Sequence, residues 1–190
     1  RAATKVIAPA PGMKILDLAA GTGSSSAPLA AAGADVIAAD FSEGMIAAGK
    51  KARPDLTFIK ADALNLPFPD HSFDLLTISF GLRNTQNAAQ ALAEALRVVK
   101  PGGRLVVVEF SSPTFAPFRA IYMNYLMRAL PAIAKVTSSN PDAYIYLADS
   151  IRAWPDQKGL AAAIVEAGWI QVGWKNLTGG VVAIHTAVAP

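Results

Sequence analysis

Short apolar runs alternate with helical patterns along most of the chain. Such nearly continuous apolar runs are typical of parallel strands that are buried on both faces. Alanine-rich segments of helical length lie between the runs, at residues 25–32, 42–52 and 88–99. This alternation predicts an α/β fold with a doubly wound, mostly parallel sheet. The five runs of strand length, rich in Ile, Leu, Val or Phe, cover residues 13–18, 36–39, 56–59, 73–79 and 105–110.

The C-terminal third of the chain has a different pattern. Residues 111–158 are rich in proline and contain all four tyrosines without a clear strand pattern, so we expect a helical insertion after the fifth strand. A further helix is predicted over residues 159–167. Two strands, at residues 169–177 and 181–188, follow it and are joined by the turn sequence Thr178-Gly179-Gly180. A terminal hairpin makes the last strand antiparallel in a sheet of seven strands, and we expect one domain over residues 1–190.

Composition narrows the classes of function. The 190 residues are 53% hydrophobic and 16% charged, which supplies a core for a single domain. The chain has no cysteine and only two histidines, so disulfides and thiolate sites are excluded and we expect no metal site. Its net charge is +3 with scattered basic residues, which argues against nucleic-acid binding. No apolar run approaches the ~18 residues that span a bilayer, and we expect a cytoplasmic protein from which an N-terminal segment is missing.

A glycine-rich loop follows the first predicted strand. Asp17 lies in that strand, and the loop contains Gly21, Thr22 and Gly23 ahead of serines that can cap a helix. Glycines allow a tight turn and a close approach of the backbone to a ligand. In open α/β sheets, ligands bind at this carboxyl edge. Asp40 ends the second strand about 17 residues after the loop, a spacing at which a carboxylate reaches ribose hydroxyls.

The residues around the loop distinguish between two kinds of nucleotide ligand. A nicotinamide dinucleotide is disfavoured, because Ser26 occupies the third glycine position of its fingerprint and Asp17 places a carboxylate beside the phosphates. A carboxylate suits a cationic nucleoside with an amino-acid tail, and S-adenosylmethionine is such a compound. Further candidate contacts lie at the ends of two later strands: Asp62 and Ala63 after the third, and Ser79 at the end of the fourth. Asp62 also has a simpler interpretation as a helix cap.

These motifs together resemble the class I S-adenosylmethionine-dependent methyltransferases. Longer segments are more specifically similar to the ubiquinone/menaquinone biosynthesis C-methyltransferases, and the resemblance covers essentially the whole chain. The segments that carry it are Phe-Gly-Leu-Arg-Asn at 80–84, Arg-Val-Val-Lys-Pro-Gly-Gly-Arg-Leu at 97–105, and residues 146–151, 155–157 and 176–180.

The resemblance implies a reaction and a set of cofactor contacts. The reaction is methyl transfer from S-adenosyl-L-methionine to a ring carbon of a polyprenyl quinol, and demethylmenaquinol is the favoured substrate. The sequence departs from the family at Ala20 and Ser24, where a glycine and an acid are usual. The implied contacts are Asp17, Gly21, Thr22, Gly23, Asp40, Phe41, Asp62, Ala63 and Ser79.

Four residues are candidates for the chemistry on the quinol. A ring carbon becomes a good nucleophile when a neighbouring hydroxyl loses its proton, so the site needs a base or a cation. We expect Arg83 to stabilise the quinolate oxygen and Asn84 to orient the ring, although Arg83 could instead be a structural arginine paired with an acid. Glu109 is expected to hold Arg83 or to polarise a water. His185 is a further candidate base, with a packed strand histidine as the alternative.

The insertion also suggests contacts with larger partners. Residues 115–134 are apolar and contain Arg119 and Arg128, a pattern typical of an interfacial helix that contacts a membrane without crossing it. A buried lid helix or a homodimer contact would have the same pattern. Two other functions stay open at this point. One is methyl transfer to a different lipophilic small molecule, and the other is a non-catalytic S-adenosylmethionine-binding subunit.

Overall fold

The computed structural model describes residues 2–125 and 141–190, which form one seven-stranded sheet with helices on both faces. Two short 3₁₀ turns, Leu82–Asn84 and Thr178–Gly180, follow β4 and β6. The strands are β1 (Lys14–Leu18), β2 (Asp35–Asp40), β3 (Thr57–Lys60), β4 (Phe73–Ser79), β5 (Val99–Phe110), β6 (Ile170–Leu177) and β7 (Val182–Val188). The helices are α1 (Ala2–Ile7), α2 (Ala27–Ala30), α3 (Glu43–Ala52), α4 (Ala88–Val98), α5 (Ala116–Asn124), α6 (Pro141–Ala153) and α7 (Gln157–Glu166).

The strand order in the sheet is β3-β2-β1-β4-β5-β7-β6. The first five strands are parallel, and β7 is antiparallel to both of its neighbours, as the sequence predicts. The fifth strand is longer than predicted, because Val99 already pairs with Phe73 before a shift in register. The strand order reverses between β1 and β4, so the carboxyl ends of these two strands border the crevice in which such sheets bind ligands.

Each face of the sheet carries its own hydrophobic core. Successive side chains of a strand point to opposite faces, so Leu16 packs towards α4 and α7 whereas Ile15 packs towards α1 and α2. The amphipathic helix α4 begins at Asn87, whose side chain accepts a hydrogen bond from Gln90 N. On the same face, buried Trp169 donates from Nε1 to Leu92 O at 3.0 Å. Helices on both faces explain why the parallel strands are apolar throughout.

The expected insertion is helical where the structure describes it. Helices α5 and α6 enclose a small apolar cluster, in which Ala148 and Ile151 are buried against Phe110 and Tyr122. Residues 126–134 of the predicted interfacial helix lie outside the described residues. Within residues 2–125 and 141–190, no helix combines the length and the apolarity that crossing a membrane requires.

Gln157 joins the two ends of the insertion to the terminal hairpin. Its buried Nε2 donates to Ser112 O at 2.8 Å, to Asn176 Oδ1 at 3.1 Å and to Gly180 O at 3.3 Å. Gly180 has a φ of +98° and no room for a side chain, because a Cβ there would meet Ser112 O at 3.0 Å. Motifs that are far apart in the sequence therefore form one polar cluster where the insertion leaves the sheet.

Candidate functional site

Two tight loops meet at the carboxyl edge of the sheet. Ala19 follows β1 with a φ of +56°, and Phe80 follows β4 with a φ of +57°. Left-handed conformations are strained for residues with a side chain and persist where the surrounding structure holds them. Gly81 packs directly on Ala19, and a Cβ at Gly81 would overlap the Cβ of Ala19. The loops therefore form a fixed wall between two cavities.

The first cavity lies on the α4 side of this wall and has a volume of about 490 Å³. It brings together six of the predicted site residues, which come from the ends of β1, β2, β3 and β4: Gly21, Asp40, Phe41, Asp62, Ala63 and Asn84. Sequence reasoning missed several other lining residues, which reach the cavity through the packing of the loops: Met45, Leu64, Phe80, Thr85 and Gln86.

Asp40 is held in place at the mouth of the glycine loop. Its Oδ2 accepts a hydrogen bond from Gly21 N at 2.8 Å, and its Oδ1 accepts one from Ser42 N at 2.8 Å. A Cβ built on Gly21 would meet nothing within 4 Å, so a ligand can approach this backbone closely. Asp62 lines the same cavity, and its Oδ1 accepts from Leu64 N at 2.9 Å. Asp62 therefore lines the cavity, and its alternative interpretation as a helix cap is wrong, because residues 61–72, all of which the structure describes, contain no helix.

Asp17 lies behind the glycine loop and lines neither cavity. Its carboxylate is fully buried, and Oδ2 accepts from the hydroxyls of Ser25 at 2.7 Å and Ser26 at 2.6 Å. Among residues 2–125 and 141–190, its Oδ1 has no hydrogen-bond partner. Burial raises the pKa of Asp17 to about 6, and the two serine hydroxyls oppose that rise. The serine next to α2 therefore does not cap the helix as expected, because the Ser26 hydroxyl donates to Asp17.

The other two residues of the glycine loop are Thr22 and Gly23. Gly23 is buried with a φ of +83°, and a Cβ there would lie 2.8 Å from the ring of Phe58. Thr22 is half-buried between the two glycines. Neither residue is among those that line the two cavities. Side-chain contact of Thr22 with a ligand therefore remains a prediction.

A second cavity of about 530 Å³ lies on the opposite face, beneath α1. Its walls are mostly apolar, and the polar groups among its lining residues are hydroxyls that include those of Ser25, Thr77 and Ser79. Ala19 and Phe80 line both cavities. The alternation of side chains along β4 places Ile78 in the first cavity and Ser79 in the second. The sequence shows this alternation, but only the sheet shows which cavity lies on which face.

Arg83 and Glu109 form a buried ion pair beside the first cavity. Arg83 Nη1 donates to Glu109 Oε1 at 2.8 Å, and the two side chains are 8% and 0% exposed. The guanidinium also donates to Phe80 O at 2.7 Å and lies 5.0 Å from the centre of the Phe110 ring. Burial raises the pKa of the Glu109 carboxyl, and its hydrogen bonds with Phe110 N and Arg83 oppose the rise. Glu109 thus holds Arg83, the first of its two expected roles.

The structure does not bring His185 to the site. His185 lies within β7 opposite Val107 and is 1% exposed. Its Nε2 is 2.9 Å from Gln157 O, and Trp174 packs near its ring. Burial lowers the pKa of His185, which keeps the imidazole neutral. The packed strand histidine, the alternative considered from the sequence, describes this arrangement.

Comparison with known proteins relates this chain to one family. The sequence model of the ubiE/COQ5 methyltransferase family matches residues 1–189. The demethylmenaquinone methyltransferase of Renibacterium salmoninarum is 63% identical over 93% of this chain and 75% of its own length. The demethylmenaquinone methyltransferase of Streptomyces avermitilis is 59% identical over 97% of this chain and 80% of its own length.

Solved structures confirm the predicted fold class. A Haloferax volcanii protein, a putative methyltransferase in complex with the Trm112 activator, matches with a TM-score of 0.74 at 18% identity and covers 100% of this chain and 88% of that one. The phosphoethanolamine N-methyltransferase 2 of Haemonchus contortus, in complex with S-adenosyl-L-methionine, matches with a TM-score of 0.74 at 15% identity. That match covers 100% of this chain and 51% of the other. At these identities the likeness concerns the fold alone.

Proposed function

Because the chain belongs to the ubiE/COQ5 methyltransferase family, we propose that it methylates demethylmenaquinol in menaquinone biosynthesis, with S-adenosylmethionine as the methyl donor. The observation that carries this proposal is the first cavity, in which two strand-end carboxylates for a nucleoside lie beside Asn84. The names of the curated relatives, which share more than half of their aligned residues with this chain, favour a naphthoquinol over a benzoquinol.

The residues around the glycine loop fit S-adenosylmethionine. In our proposal, Asp40 accepts from the ribose hydroxyls and Asp62 with Ala63 contacts the adenine edge, while Phe41 covers the nucleoside. Open space at Gly21 allows the backbone to approach the ligand. The unpaired carboxylate oxygen of Asp17 places a negative charge beneath the loop, which favours a cation above it. When bound, the cofactor supplies an electrophilic methyl group on a positively charged sulfur.

The other end of the site prepares the quinol. Asn84 lines the cavity, and we assign it to hydrogen bonding with a ring hydroxyl. We assign to Arg83, the neighbour of Asn84 in the chain, the stabilisation of the developing quinolate, and the ion pair with Glu109 holds its guanidinium in place. Alignment of donor and ring carbon can supply about 7–11 kcal/mol of barrier lowering. The ring carbon gains the methyl group as the carbon–sulfur bond of the donor breaks and S-adenosylhomocysteine is left, and it then loses its own proton to water, which restores the aromatic ring.

The proposed activity is tested with labelled S-adenosylmethionine and short-tailed demethylated naphthoquinol and benzoquinol, followed by mass analysis of the products. We expect label in the naphthoquinol ring. Absence of label in both rings would refute the proposal, and label in the benzoquinol alone would correct the substrate.

The role of Arg83 needs a variant that does not leave a buried charge. Arg83→Ala strands Glu109 in an apolar environment, which destabilises a fold by about 3–5 kcal/mol. The neutral pair Arg83→Gln with Glu109→Gln removes both charges together, and glutamine keeps the shape of Glu109 while it is shorter than Arg83. We expect this pair to bind the cofactor with near-normal affinity by calorimetry and to lose at least tenfold in turnover. Unchanged turnover, or a collapse of cofactor affinity, would contradict the assignment.

We further propose that α5 contacts the membrane surface, where a prenylated substrate resides. Phe115, Phe118, Ile121 and Tyr125 follow one another at near-helical spacing, and the first, third and fourth are 67%, 68% and 49% exposed. Arg119 is exposed on the same helix and suits an anionic headgroup.

Flotation with vesicles of phosphatidylcholine and phosphatidylglycerol tests this membrane contact. The wild-type protein should float with the vesicles, and Phe115→Ser with Ile121→Ser should release it. Val165→Ser, a change at an exposed apolar residue of α7, is the matched control and should float like the wild type. Recovery of the wild type in the soluble fraction as a dimer would show that a second copy covers this face instead.

A further inference from the structure

A tyrosine of the insertion contacts the residue that lines the cavity. Tyr146, in α6, donates a hydrogen bond from its hydroxyl to Asn84 Oδ1 at 3.3 Å. On its other side, Asn84 Nδ2 points to Phe80 O at 3.5 Å. Residues 62 positions apart in the chain thus meet at the mouth of the first cavity. Neither the sequence motifs nor the proposed chemistry above assigns a role to Tyr146.

The contacts of Asn84 determine where its amide nitrogen and its amide oxygen lie. A backbone carbonyl only accepts hydrogen bonds, so the group that faces Phe80 O must be the amide nitrogen. Oδ1 is then turned to Tyr146, whose hydroxyl is free to donate. The amide nitrogen carries two hydrogens, and the carbonyl of Phe80 takes one of them. The second N–H remains for a ligand in the cavity, so Asn84 presents a donor.

We propose that Tyr146 is a positioning residue that fixes Asn84 as a hydrogen-bond donor to the quinol oxygen. This proposal rests on the proposed function. A phenol oxygen that loses its proton becomes an acceptor only, and an N–H stabilises it more strongly as the negative charge develops. An Asn84 amide free to turn would also present its oxygen, which repels the developing charge. The carbonyl of Phe80 disfavours that second orientation, because two acceptor oxygens would face each other, and the hydroxyl of Tyr146 holds Oδ1 in the first orientation.

The placement of α6 supports this role. Ala148 and Ile151 anchor the helix in the apolar cluster against Phe110. Tyr146 itself is 59% exposed and therefore contributes little to the core. Loss of its hydroxyl should consequently leave the fold intact and act on the site alone. Helix α6 would then take part in recognition of the quinol ring.

Tyr146→Phe and the control Tyr144→Phe test the proposal in the quinol assay. Tyr144 is an exposed tyrosine of the same helix. One net hydrogen bond corresponds to about a fivefold change, so we expect Tyr146→Phe to lower kcat/KM for the quinol about fivefold. The affinity for S-adenosylmethionine, measured by calorimetry, should not change, and Tyr144→Phe should match the wild type. A loss of cofactor affinity or an equal loss in the control would overturn the proposal.

A double-mutant cycle shows whether Tyr146 acts through Asn84. Asn84→Ala should lower kcat/KM more than Tyr146→Phe does, and the double variant should be no worse than Asn84→Ala alone. Multiplied losses would mean that Tyr146 acts independently, which contradicts the proposal. Asn84→Asp, which replaces the donor by a second acceptor, should be as slow as Asn84→Ala; near-normal turnover of this variant would also contradict it.

A measurement without substrate separates this proposal from the proposed function. The side-chain amide resonances of Asn84 are assigned by their loss from the NMR spectrum of Asn84→Asp. They should shift in Tyr146→Phe and not in Tyr144→Phe. If the wild type methylates neither quinol but the shift occurs, the proposed function fails while the fixed amide stands. If the resonances do not move, the positioning role of Tyr146 is refuted.

Discussion

Asp17→Asn should stabilise the folded protein above pH 6 and weaken its affinity for S-adenosylmethionine. The carboxylate of Asp17 is fully buried and accepts hydrogen bonds from Ser25 and Ser26. In the part of the chain that the structure describes, its other oxygen is unpaired. Asparagine has the same shape, can accept from both serines through its oxygen, and carries no charge. The substitution therefore removes the cost of a buried charge while keeping the loop packed.

The size of the effect follows from the pKa of Asp17. Burial raises that pKa from 3.8 to about 6, which corresponds to about 3 kcal/mol. Because the pKa is higher in the folded state, the penalty is absent below the pKa of the unfolded chain and grows as pH rises through the folded value. The free energy of unfolding of Asp17→Asn, relative to the wild type, should thus increase by about 3 kcal/mol between pH 4 and pH 8.

Urea unfolding at several pH values measures this difference. Asp74→Asn is a control of opposite sign, because hydrogen bonds from Lys100 and Lys14 N lower the pKa of Asp74. Replacement of Asp74 should cost stability once the pH exceeds the pKa of an unfolded aspartate, and not in acid. The reasoning about Asp17 is refuted if its pH-dependent difference is absent or has the same sign as that of Asp74.

Calorimetry on the same variant tests why a costly charge is kept. If Asp17 favours the sulfonium, Asp17→Asn should lose severalfold more affinity for S-adenosylmethionine than for S-adenosylhomocysteine, which has a neutral sulfur. Equal losses for the two compounds would mean that Asp17 only shapes the loop through its serines.

Three further changes test the site and the fold around it. Asp40→Asn should weaken S-adenosylmethionine binding at least tenfold by calorimetry, because the carboxylate both faces the cavity and accepts from Gly21 N; an unchanged Kd would remove Asp40 from the site. Gly81→Ala should lower the free energy of unfolding by about 1–3 kcal/mol, because its Cβ would overlap Ala19, whereas Gly173→Ala meets nothing within 4 Å and should be near neutral. His185→Gln should keep the pH profile of turnover, and a changed profile would return His185 to the candidate bases. Because the pKa of His185 is lowered in the folded state, the wild type should lose stability as the pH falls below 6.5, and His185→Gln should lose less.

The sequence was sufficient for the fold because its signals are local. Strand β4 occupies Phe73–Ser79, the predicted residues, and the other strands except β5 begin and end within one or two residues of their apolar runs. The period of the pattern reports burial on both faces, and glycines mark the turns. The helix predicted over residues 25–32 is shorter in the structure, as α2 (Ala27–Ala30), and the hydroxyl of Ser26 is directed to Asp17 and does not cap it.

The residues predicted for the candidate site fall into two groups. Gly21, Asp40 and Asp62 line the cavity as expected, because Asp40 ends a strand, Gly21 and Asp62 follow one, and parallel strands end at one edge. Asp17 and His185 were placed by the fold elsewhere, since a residue within a strand points to a face of the sheet and not to its edge. Alternation alone cannot tell which of those faces holds a ligand.

The amino-acid order by itself determined the strand pattern, the glycine turns and the chemical kind of each strand end, since these depend on neighbours in the chain. Only the tertiary structure decided that Tyr146 contacts Asn84, that Glu109 pairs with Arg83, and that Gln157 joins the insertion to the hairpin. These partners are 62, 26 and 19 positions apart. Hydrogen bonds and ion pairs between such distant residues exist because the sheet brings the ends of its strands together, and no local pattern encodes them.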